Sequence, residues 1–356
     1  MKFEQISEND FREFAVKSAY KSFMQTPEIA EYRKTTGFTA YYLAVKEKEE
    51  VVAATMLLGK KSFLGKSIFL APGGPLIDFE NKRLVKYFFE NLKNFAKAHG
   101  GYVLRVSPYY ELVERGRDGE LIEGGFDHRN AVKELTRLGF KQIKNADQPQ
   151  YLFALDLKGL SPDELFASFK RNTRNHIRKA EKMGVKVHEI NKDELDKFKQ
   201  ITESTSKRRD FVDHPIEYYK KMYDLFEPRG EAKFVLADVD IDGTNVPLSA
   251  AMFMLYGDEV VYLFSGSDEK YMRDYNAQYL IQWQMIKYSA EKKFKRYNFY
   301  GIQGLPNPES PDYGIYSFKK GFGGRVIELM GTYEAPIDNV YYLHKLLNNI
   351  KSKFIH

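Results

Sequence analysis

The chain has 356 residues, 43% of them hydrophobic, and a net charge of +6 from 55 basic and 49 acidic residues. This length suits two domains with real cores, and the mild positive charge favours anionic partners such as nucleic acid, phosphorylated metabolites or anionic lipid surfaces. No cysteine is present, which excludes disulfides, Cys-ligated zinc and a thiol nucleophile and fits a reducing compartment.

The first half of the chain alternates short helices and strands. Pro27 suits the first position of a helix, and Gly100 and Gly101 end an amphipathic helix that begins at Lys82. The patterns predict helices at 8–19, 27–34 and 82–99, and strands at 41–45, 51–58, 67–70 and 102–106.

The second half repeats this order of elements. Ala251 follows Ala54 by 197 residues, and Tyr297 follows Tyr102 by 195. We predict strands at 234–239, 247–255, 260–264, 296–300 and 326–332, and helices at 277–292 and 337–353. Antiparallel strands followed by a helix and another strand are typical of the acetyltransferase (GNAT) unit. The chain is therefore interpreted as mixed α/β, with two tandem GNAT-like domains and a ligand cleft between them.

Between the two halves, residues 161–184 predict one helix with a basic face. Ser161, Pro162 and Glu164 form a helix start, and Gly184 is a natural stop. Four basic residues share one side of the helix: Arg171, Arg174, Arg178 and Lys182. This face is either a surface for a polyanion or an ordinary solvated face, and the helix alone does not decide between them.

Several kinds of site are missing from the sequence. It has no Walker phosphate loop, no dinucleotide-binding glycine motif, no nucleophile elbow and no acetyl-CoA signature, and its seven histidines are scattered. We therefore expect no cofactor and no metal site. The longest apolar runs, 51–58 and 248–255, are too short to span a bilayer, and the first residues lack an apolar signal core. A soluble, cytoplasmic protein is expected.

Three groups of residues remain as candidates for chemistry. The stretch 205–219 places arginines, His214 and Tyr218 before or at the start of a helix, where they suit phosphate oxygens, although it also reads as a charged loop. Lys319 lies between two phenylalanines and a glycine-rich turn and is suited to stabilising an oxyanion, the alternative being an ordinary surface lysine. The third is Arg33 with Lys34, a weak signal alone.

Taken together, these stretches resemble the FemABX family of non-ribosomal peptidyltransferases over nearly the whole chain. The marks of the resemblance, in chain order, are FMQTPEIAEYRK, LAPGGPLID, GGYVLRVSP, FKRNTRNHIRKAEKMGVKVHEI, RRDFVDHPIEYYKKM, FSGSDEKY and YSFKKGFGG. Each motif is weak by itself, and their joint order is specific.

The resemblance implies a fold and an activity. Family members have two GNAT-like domains, which here implies domains at 1–152 with 328–356 and at 153–327. They move an amino acid from aminoacyl-tRNA to the stem-peptide amine of a peptidoglycan precursor, either UDP-MurNAc-pentapeptide or lipid II, the latter implying work at the inner face of the membrane. Several members carry a coiled-coil arm in the second domain. The residues 216–264 leave no room for one, so this chain resembles the armless type.

The resemblance also implies individual site residues. Lys319 corresponds to the lysine that stabilises charge at the acyl centre or on the leaving ribose oxygen. Arg33 replaces a phosphate-binding lysine, and His214 replaces a phosphate-binding arginine, so that phosphate binding shifts toward Arg208. Ser107 replaces a pocket aspartate, which leaves the general base open. Pocket tyrosines correspond to Tyr102, Tyr218 and Tyr262.

The basic helix then has a role in binding the acceptor stem of tRNA through Arg171, Arg174, Arg178 and Lys182. Aminolysis of an activated ester needs positioning and oxyanion stabilisation more than a strong nucleophile, which fits the missing triad. Two alternatives stay open: an acyl-CoA-dependent N-acyltransferase, and a non-catalytic RNA-binding module. The amino acid transferred, the number added and the oligomeric state are not specified by the sequence.

Overall fold

A computed structural model describes residues 1–144, 148–209 and 212–354 of the chain. The chain divides into two compact units. The first unit comprises Met1–Glu114, Leu121–Gln150 and Glu328–His356, and the second comprises Arg115–Glu120 and Tyr151–Ile327.

The elements up to residue 150 all belong to the first unit. Its helices and strands are, in chain order, β1 (Lys2–Gln5), α1 (Glu8–Lys17), α2 (Pro27–Thr35), β2 (Thr39–Glu47), β3 (Glu50–Lys61), β4 (Ser67–Gly73), α3 (Lys82–Ala98), β5 (Gly101–Pro108), β6 (Glu111–Glu114), α4 (Arg129–Arg137) and β7 (Lys141–Ile143), with a single 3-10 turn at Phe63–Gly65 between β3 and β4.

The next elements form the second unit, and the chain then returns to the first. They are β8 (Tyr151–Asp156), α5 (Pro162–Ser168), α6 (Arg171–Lys182), β9 (Lys186–Glu189), α7 (Leu195–Arg209), α8 (Ile216–Phe226), β10 (Ala232–Ile241), β11 (Thr244–Tyr256), β12 (Glu259–Ser267), α9 (Glu269–Tyr275), α10 (Ala277–Glu291), β13 (Arg296–Ile302), α11 (Tyr313–Lys320), β14 (Arg325–Leu329), β15 (Thr332–Pro336) and α12 (Val340–Phe354).

The two units share the order and connection of five successive strands. The first sheet runs β1-β2-β3-β4-β5-β15-β7, and the strands of the second unit run β9-β10-β11-β12-β13-β8-β14. In each unit the chain passes through antiparallel neighbours and then crosses through a long helix, α3 or α10, to a parallel partner, β4 with β5 and β12 with β13. A parallel pair needs such a crossover because a tight turn can join only antiparallel strands. The predicted repeat of a mixed α/β unit is therefore confirmed.

Each unit has its own hydrophobic core. The helix α3 buries Leu84, Phe88 and Leu92, which recur at helical spacing and pack on the first sheet. In the second unit, α10 buries Leu280 and Ile281 against the second sheet. The residues 216–267 pass directly through α8 and β10 to β12, so the predicted absence of a coiled-coil arm is confirmed.

The apolar runs at 51–58 and 248–255 lie inside β3 and β11. Across residues 1–144, 148–209 and 212–354, the structure contains no helix with the length and apolar character needed to cross a membrane. The predicted strand at 326–332 is in fact two strands, because Gly331 adopts a φ of +83° between β14 and β15.

The single helix predicted at 161–184 is wrong, because the backbone is extended at Phe169 and Lys170 and separates α5 from α6. Phe169 is buried against Trp283 and Phe322, with ring centroids 5.6 and 5.3 Å away. The amide of Lys170 donates to the carbonyl oxygen of Gly321 at 2.9 Å. Burial of the ring and this bond to a distant turn outweigh continuation of the helix. The capping box of Ser161 and Glu164 is confirmed.

Candidate active site

The second unit contains an open cavity of about 670 Å³. It is lined by the C-terminal end of α7, by the C-terminal halves of β12 and β13, and by α11. Four aromatic side chains contribute to the wall: Tyr262, Phe299, Tyr300 and Phe318. An aromatic-lined cavity with a few polar groups is the usual form of a site for a small molecule or for the end of a larger one.

The cavity also contains a buried cationic group, that of Lys319, which is only 5% exposed. Its Nζ donates to the carbonyl oxygen of Gly301 at 2.6 Å and of Tyr300 at 3.3 Å. An ammonium group has three N–H donors, so two bonds to the backbone leave one for a bound molecule. Burial lowers the pKa of Lys319 to about 7. The alternative of an ordinary surface lysine is thereby excluded, whereas the neighbouring Lys320 is paired with Asp118.

A distortion in β13 aims these two carbonyl groups at the lysine. Pairing with β8 is irregular between Asn298 and Gly301, and Tyr300 has a φ of +64°. This left-handed conformation is costly for a bulky residue and persists only where the surroundings impose it. The side chain of Asn298 stabilises it by accepting a hydrogen bond of 2.7 Å from the amide of Tyr300. The sequence offered no sign of this feature, because a strained tyrosine looks like any strand tyrosine.

The aromatic wall is rigid and uncharged. Phe318 packs between Tyr279 and Phe322, with ring centroids 4.9 and 5.5 Å away. Burial raises the pKa of Tyr262 to about 12, and burial next to Glu259 raises that of Tyr300 to about 12. Both phenols therefore remain protonated at neutral pH and can donate hydrogen bonds.

The opposite side of the cavity is polar. Arg208 donates to the carbonyl oxygen of Ser267 at 3.4 Å, and the hydroxyl of Thr205 accepts from the amide of Ser267 at 2.8 Å. These bonds hold α7 against the end of β12. Gly266 permits the close approach, since a Cβ there would lie 2.5 Å from the carbonyl oxygen of Ile201.

Gln278 on α10 contributes a further polar atom that sequence reasoning missed. The residue lines the cavity, and its Oε1 atom is buried and has no hydrogen-bond partner among the described residues. A buried acceptor without a partner is costly. A bound molecule with an N–H or O–H group at this point would remove that cost. A lone glutamine inside an apolar helix pattern gives no signal that would single it out.

His214, just before α8, and Tyr218, in the first turn of α8, form a separate aromatic group. Their rings stack with centroids 4.0 Å apart, and Phe264 meets both edge-on. The carboxylate of Asp213 holds this segment by accepting hydrogen bonds from Tyr219 at 2.6 Å and from Thr202 and Lys199 of α7. Of the predicted stretch 205–219, residues 210 and 211 lie outside the described part. The predicted binding roles of His214 and Tyr218 stay predictions.

Three predicted site residues belong to the first unit. The guanidinium of Arg33 lies 5.4 Å from the centre of the Phe38 ring. Ser107 shares a hydrogen bond of 2.9 Å with the hydroxyl of Thr332. Tyr102 is buried, and its hydroxyl lies 3.4 Å from Nδ1 of His344 on α12. Each contact is structural, and the predicted contacts with substrate stay predictions.

The basic residues of α6 differ in their surroundings. Arg174 donates to the carbonyl oxygens of Ala167 and Phe169, and thereby caps the end of α5. Arg178 lies 5.3 Å from the centre of the Phe166 ring. Arg171 and Lys182 are exposed, and neither forms a hydrogen bond or ion pair with any residue that the structure describes. Arg178 is exposed as well, so Arg171 and Lys182 differ from it only in having no side-chain partner among the described residues.

Over the residues that the structure describes, no cluster of three His, Asp or Glu side chains has the geometry of a metal site. The chemistry that the cavity itself offers is that of one buried cation beside hydrogen-bonding phenols and an unpaired amide oxygen. Such a site suits the stabilisation of developing negative charge.

Burial of Lys319 has a consequence for stability. In an unfolded chain a lysine holds its proton up to its ordinary pKa of 10.5, whereas Lys319 in the fold releases it at about 7. The free-energy cost of burying this lysine is therefore at its full value below pH 7. It becomes smaller as the pH rises from 7 toward 10.5. We expect Lys319→Met to be more stable than the wild type by about 1–4 kcal/mol at pH 6, in line with other replacements of buried charge.

Urea unfolding at pH 6 and pH 9 measures this difference, and the gain should be smaller at pH 9. Lys320→Met is the matched control, because its partner Asp118 stabilises its charge. A methionine variant that is no more stable than the wild type at pH 6 would contradict the burial penalty.

Known proteins resemble this chain over nearly its whole length. The model of the FemAB family matches residues 6–244 and 241–349. The aminoacyltransferase FemA of Staphylococcus epidermidis is 27% identical over 420 aligned residues, which cover 99% of this chain and 100% of that protein. FemA of Staphylococcus aureus strain N315 is 26% identical, with the same coverage. The alignment has more positions than this chain has residues, so these relatives contain segments that it lacks.

Solved structures share the fold. The crystal structure of FemX superposes with a TM-score of 0.83 at 23% identity, covering 96% of this chain and 99% of FemX. A tandem GNAT protein from the clavulanic acid biosynthesis pathway has a TM-score of 0.55 at 11% identity, covering 95% of this chain and 98% of that one. At these identities the likeness shows the fold alone, and it confirms the predicted tandem GNAT-like architecture.

Proposed function

The chain belongs to the FemAB family, and we propose that it is an aminoacyltransferase that moves an amino acid from aminoacyl-tRNA to the stem-peptide amine of a peptidoglycan precursor. The transfer builds the interpeptide bridge of the cell wall. Support comes from the curated relatives, which are aminoacyltransferases and which align with this chain over their full length. The observation that carries the proposal is the buried Lys319, with one N–H group left for substrate in an aromatic cavity.

The chemistry requires few groups. The neutral acceptor amine attacks the ester carbonyl carbon, an amide bond forms, and the bond between that carbon and the ribose oxygen of tRNA breaks. The amine loses a proton, and the ribose oxygen gains one. Negative charge develops first on the carbonyl oxygen and then on the ribose oxygen. A cation fixed by two backbone carbonyl groups stabilises both without reorganising.

We assign two of the remaining residues by their surroundings and the other four by the family resemblance. Tyr262 and Arg208 line the same cavity as Lys319 and are proposed to position the substrate there. His214 and Tyr218 are proposed as acceptor contacts of the second unit, and Arg33 and Ser107 as those of the first. The acceptor is UDP-MurNAc-pentapeptide or lipid II, and the reaction takes place in the cytoplasm, with lipid II at the inner face of the membrane.

The donor distinguishes this function from an acyl-CoA-dependent transferase of the same fold. Isothermal titration of the protein with aminoacyl-tRNA and, separately, with acetyl-CoA is the direct comparison. Binding of aminoacyl-tRNA with no heat from acetyl-CoA is expected. Saturable binding of acetyl-CoA would overturn the assignment of the donor.

The exposed charges of α6 are proposed to bind the acceptor stem of tRNA. A plot of log affinity against log salt concentration is a straight line, and each phosphate contact that is lost reduces the size of its slope by about one. The double variant Arg171→Ala/Lys182→Ala is expected to bind tRNA about tenfold more weakly at low salt, with a slope reduced by about two units. Filter binding over a range of salt concentrations measures both.

The matched control is Lys287→Ala/Lys295→Ala, which removes the same charge from lysines that pair with acids elsewhere on the second unit. Its affinity and slope should stay close to those of the wild type. Equal losses in the two double variants would mean that net charge alone attracts tRNA, and the role of α6 would be withdrawn.

A further inference from the structure

Asp312 lies directly before α11 and lines the same cavity as Lys319. Of the residues described as lining that cavity, it is the one with a carboxylate, whereas three carry basic groups: Lys319, Arg208 and Arg209. The proposed transfer reaction uses Lys319 and Arg208 and leaves Asp312 without a role. A single acid among three bases in a substrate cavity is a candidate for recognition of a cationic group.

The usual structural role of an aspartate before a helix does not apply to Asp312. Such a residue normally accepts a hydrogen bond from an amide of the first turn, as Asp268 does from the amide of Lys270 at the start of α9. Asp312 is the N-cap of α11, but its side chain makes no such bond. Its carboxylate also forms no hydrogen bond or ion pair with any residue that the structure describes. The carboxylate therefore remains available to a bound molecule.

Helical spacing places Asp312 and Lys319 on one wall of the cavity. Positions 312, 315 and 319 follow each other at three and four residues, so they share one side of α11, and all three line the cavity. Seven residues correspond to two turns, or about 10 Å along the helix axis. The ammonium group of Lys319 is fixed by the carbonyl oxygens of Tyr300 and Gly301. One wall thus offers a fixed cation and a carboxylate, separated by about the length of a small molecule.

An aminoacyl ester carries two groups that match this wall. Its carbonyl oxygen is the atom on which negative charge develops, and the next carbon bears an α-amine that is protonated below its ordinary pKa of about 8. Without an acid in the cavity, the three basic side chains would repel this ammonium group. Gln278, which also lines the cavity, adds the acceptor oxygen Oε1 that has no partner among the described residues.

We propose that Asp312 binds the α-ammonium group of the amino acid that tRNA carries, and thereby selects donors whose α-amine is free. A tRNA whose α-amine is blocked by an acyl or peptidyl group has no charge there to pair with the carboxylate. The proposal rests on the proposed function, because it takes the ester carbonyl group to lie at Lys319.

The amine of the acceptor is a poorer partner for Asp312. A carboxylate beside an ammonium group favours the charged form and raises its pKa. Attack on the ester requires the neutral amine, so this pairing would oppose the reaction if it held the acceptor. The α-amine of the donor does not react, and it can remain charged throughout.

Filter binding of glycyl-tRNA and glycolyl-tRNA to the full chain at pH 6.5 tests the proposal. Deamination of glycyl-tRNA yields glycolyl-tRNA, which has a hydroxyl in place of the ammonium group, and neither has a side chain that the cavity could exclude. The wild type is expected to bind glycyl-tRNA about 10–100-fold more tightly, the scale of a hydrogen bond to a charged group. Asp312→Asn keeps the shape and removes the charge. It should bind both tRNAs within about threefold of the wild-type affinity for glycolyl-tRNA.

The matched control is Asp242→Asn, the same substitution at an exposed aspartate in the turn between β10 and β11, away from the residues that line the cavity. It should keep the wild-type preference. Equal binding of the two tRNAs by the wild type, or a preference that Asp312→Asn retains, would overturn the proposal. Slow transfer by Asp312→Asn with the preference intact would also overturn it and would assign the carboxylate to the acceptor amine. A wild type that shows the preference but never transfers would contradict the proposed function and still support this role of Asp312.

Discussion

Replacing Lys319 by alanine is expected to slow aminoacyl transfer by on the order of 10²-fold or more under single-turnover conditions with both substrates saturating. This is the cost of removing one preorganised donor from an oxyanion site. The substitution removes the N–H group that the carbonyl groups of Tyr300 and Gly301 leave for substrate. The affinity for aminoacyl-tRNA should change little, since the interaction is made with charge that develops during the reaction.

The control is Lys320→Ala, which removes the next lysine of α11, one that faces Asp118 and does not line the cavity. It should retain a rate within a few-fold of the wild type. A Lys319→Ala protein that is folded and transfers nearly as fast as the wild type would remove Lys319 from the mechanism.

The pH dependence of this loss is expected to reveal which protonation state of Lys319 works. Burial lowers its pKa to about 7. The proposed role needs the charged form, which is present below pH 7 and is lost as the pH rises above it. The ratio of the wild-type rate to the Lys319→Ala rate should therefore be constant on the acidic side of 7, and should fall on the alkaline side by up to about tenfold per pH unit.

Using the ratio removes two other effects of pH, the ionisation of the acceptor amine and the lability of the ester, because both proteins experience them equally. Rates at half-unit steps from pH 5.5 to 9 would define the curve. A ratio that rises with pH would assign the working form to the neutral amine, and Lys319 would then act as a base.

The sequence predicted the parts of the fold that depend on local pattern. The repeated order of strands and helix around Ala54 and Ala251 indicated two related units, and the structure has the same order of five successive strands in both. Lys319 was singled out because phenylalanines and glycines flank it in the sequence, and the structure buries it. Periodicity and composition carry such information because they reflect burial directly.

Other features depend on contacts between distant residues and were not predictable. The break at Phe169 and Lys170 arises from a pocket formed by Trp283 and Phe322 and a bond to Gly321. Arg174 looks like a free cation in the sequence, but that break gives it the carbonyl groups of α5 to cap. The orientation of α12 likewise follows from Glu334, a residue on a strand, and local propensity contains no trace of it.

The most direct test of the proposed function is a transfer assay with the full chain. Labelled aminoacyl-tRNAs would be supplied in turn, with UDP-MurNAc-pentapeptide and lipid II offered side by side as acceptors. We expect label to appear in amide linkage on the stem peptide of one acceptor, at a rate that Lys319→Ala reduces by on the order of 10²-fold. Aminoacyl-tRNA that binds and is never consumed with either acceptor would contradict the proposal and favour an RNA-binding module.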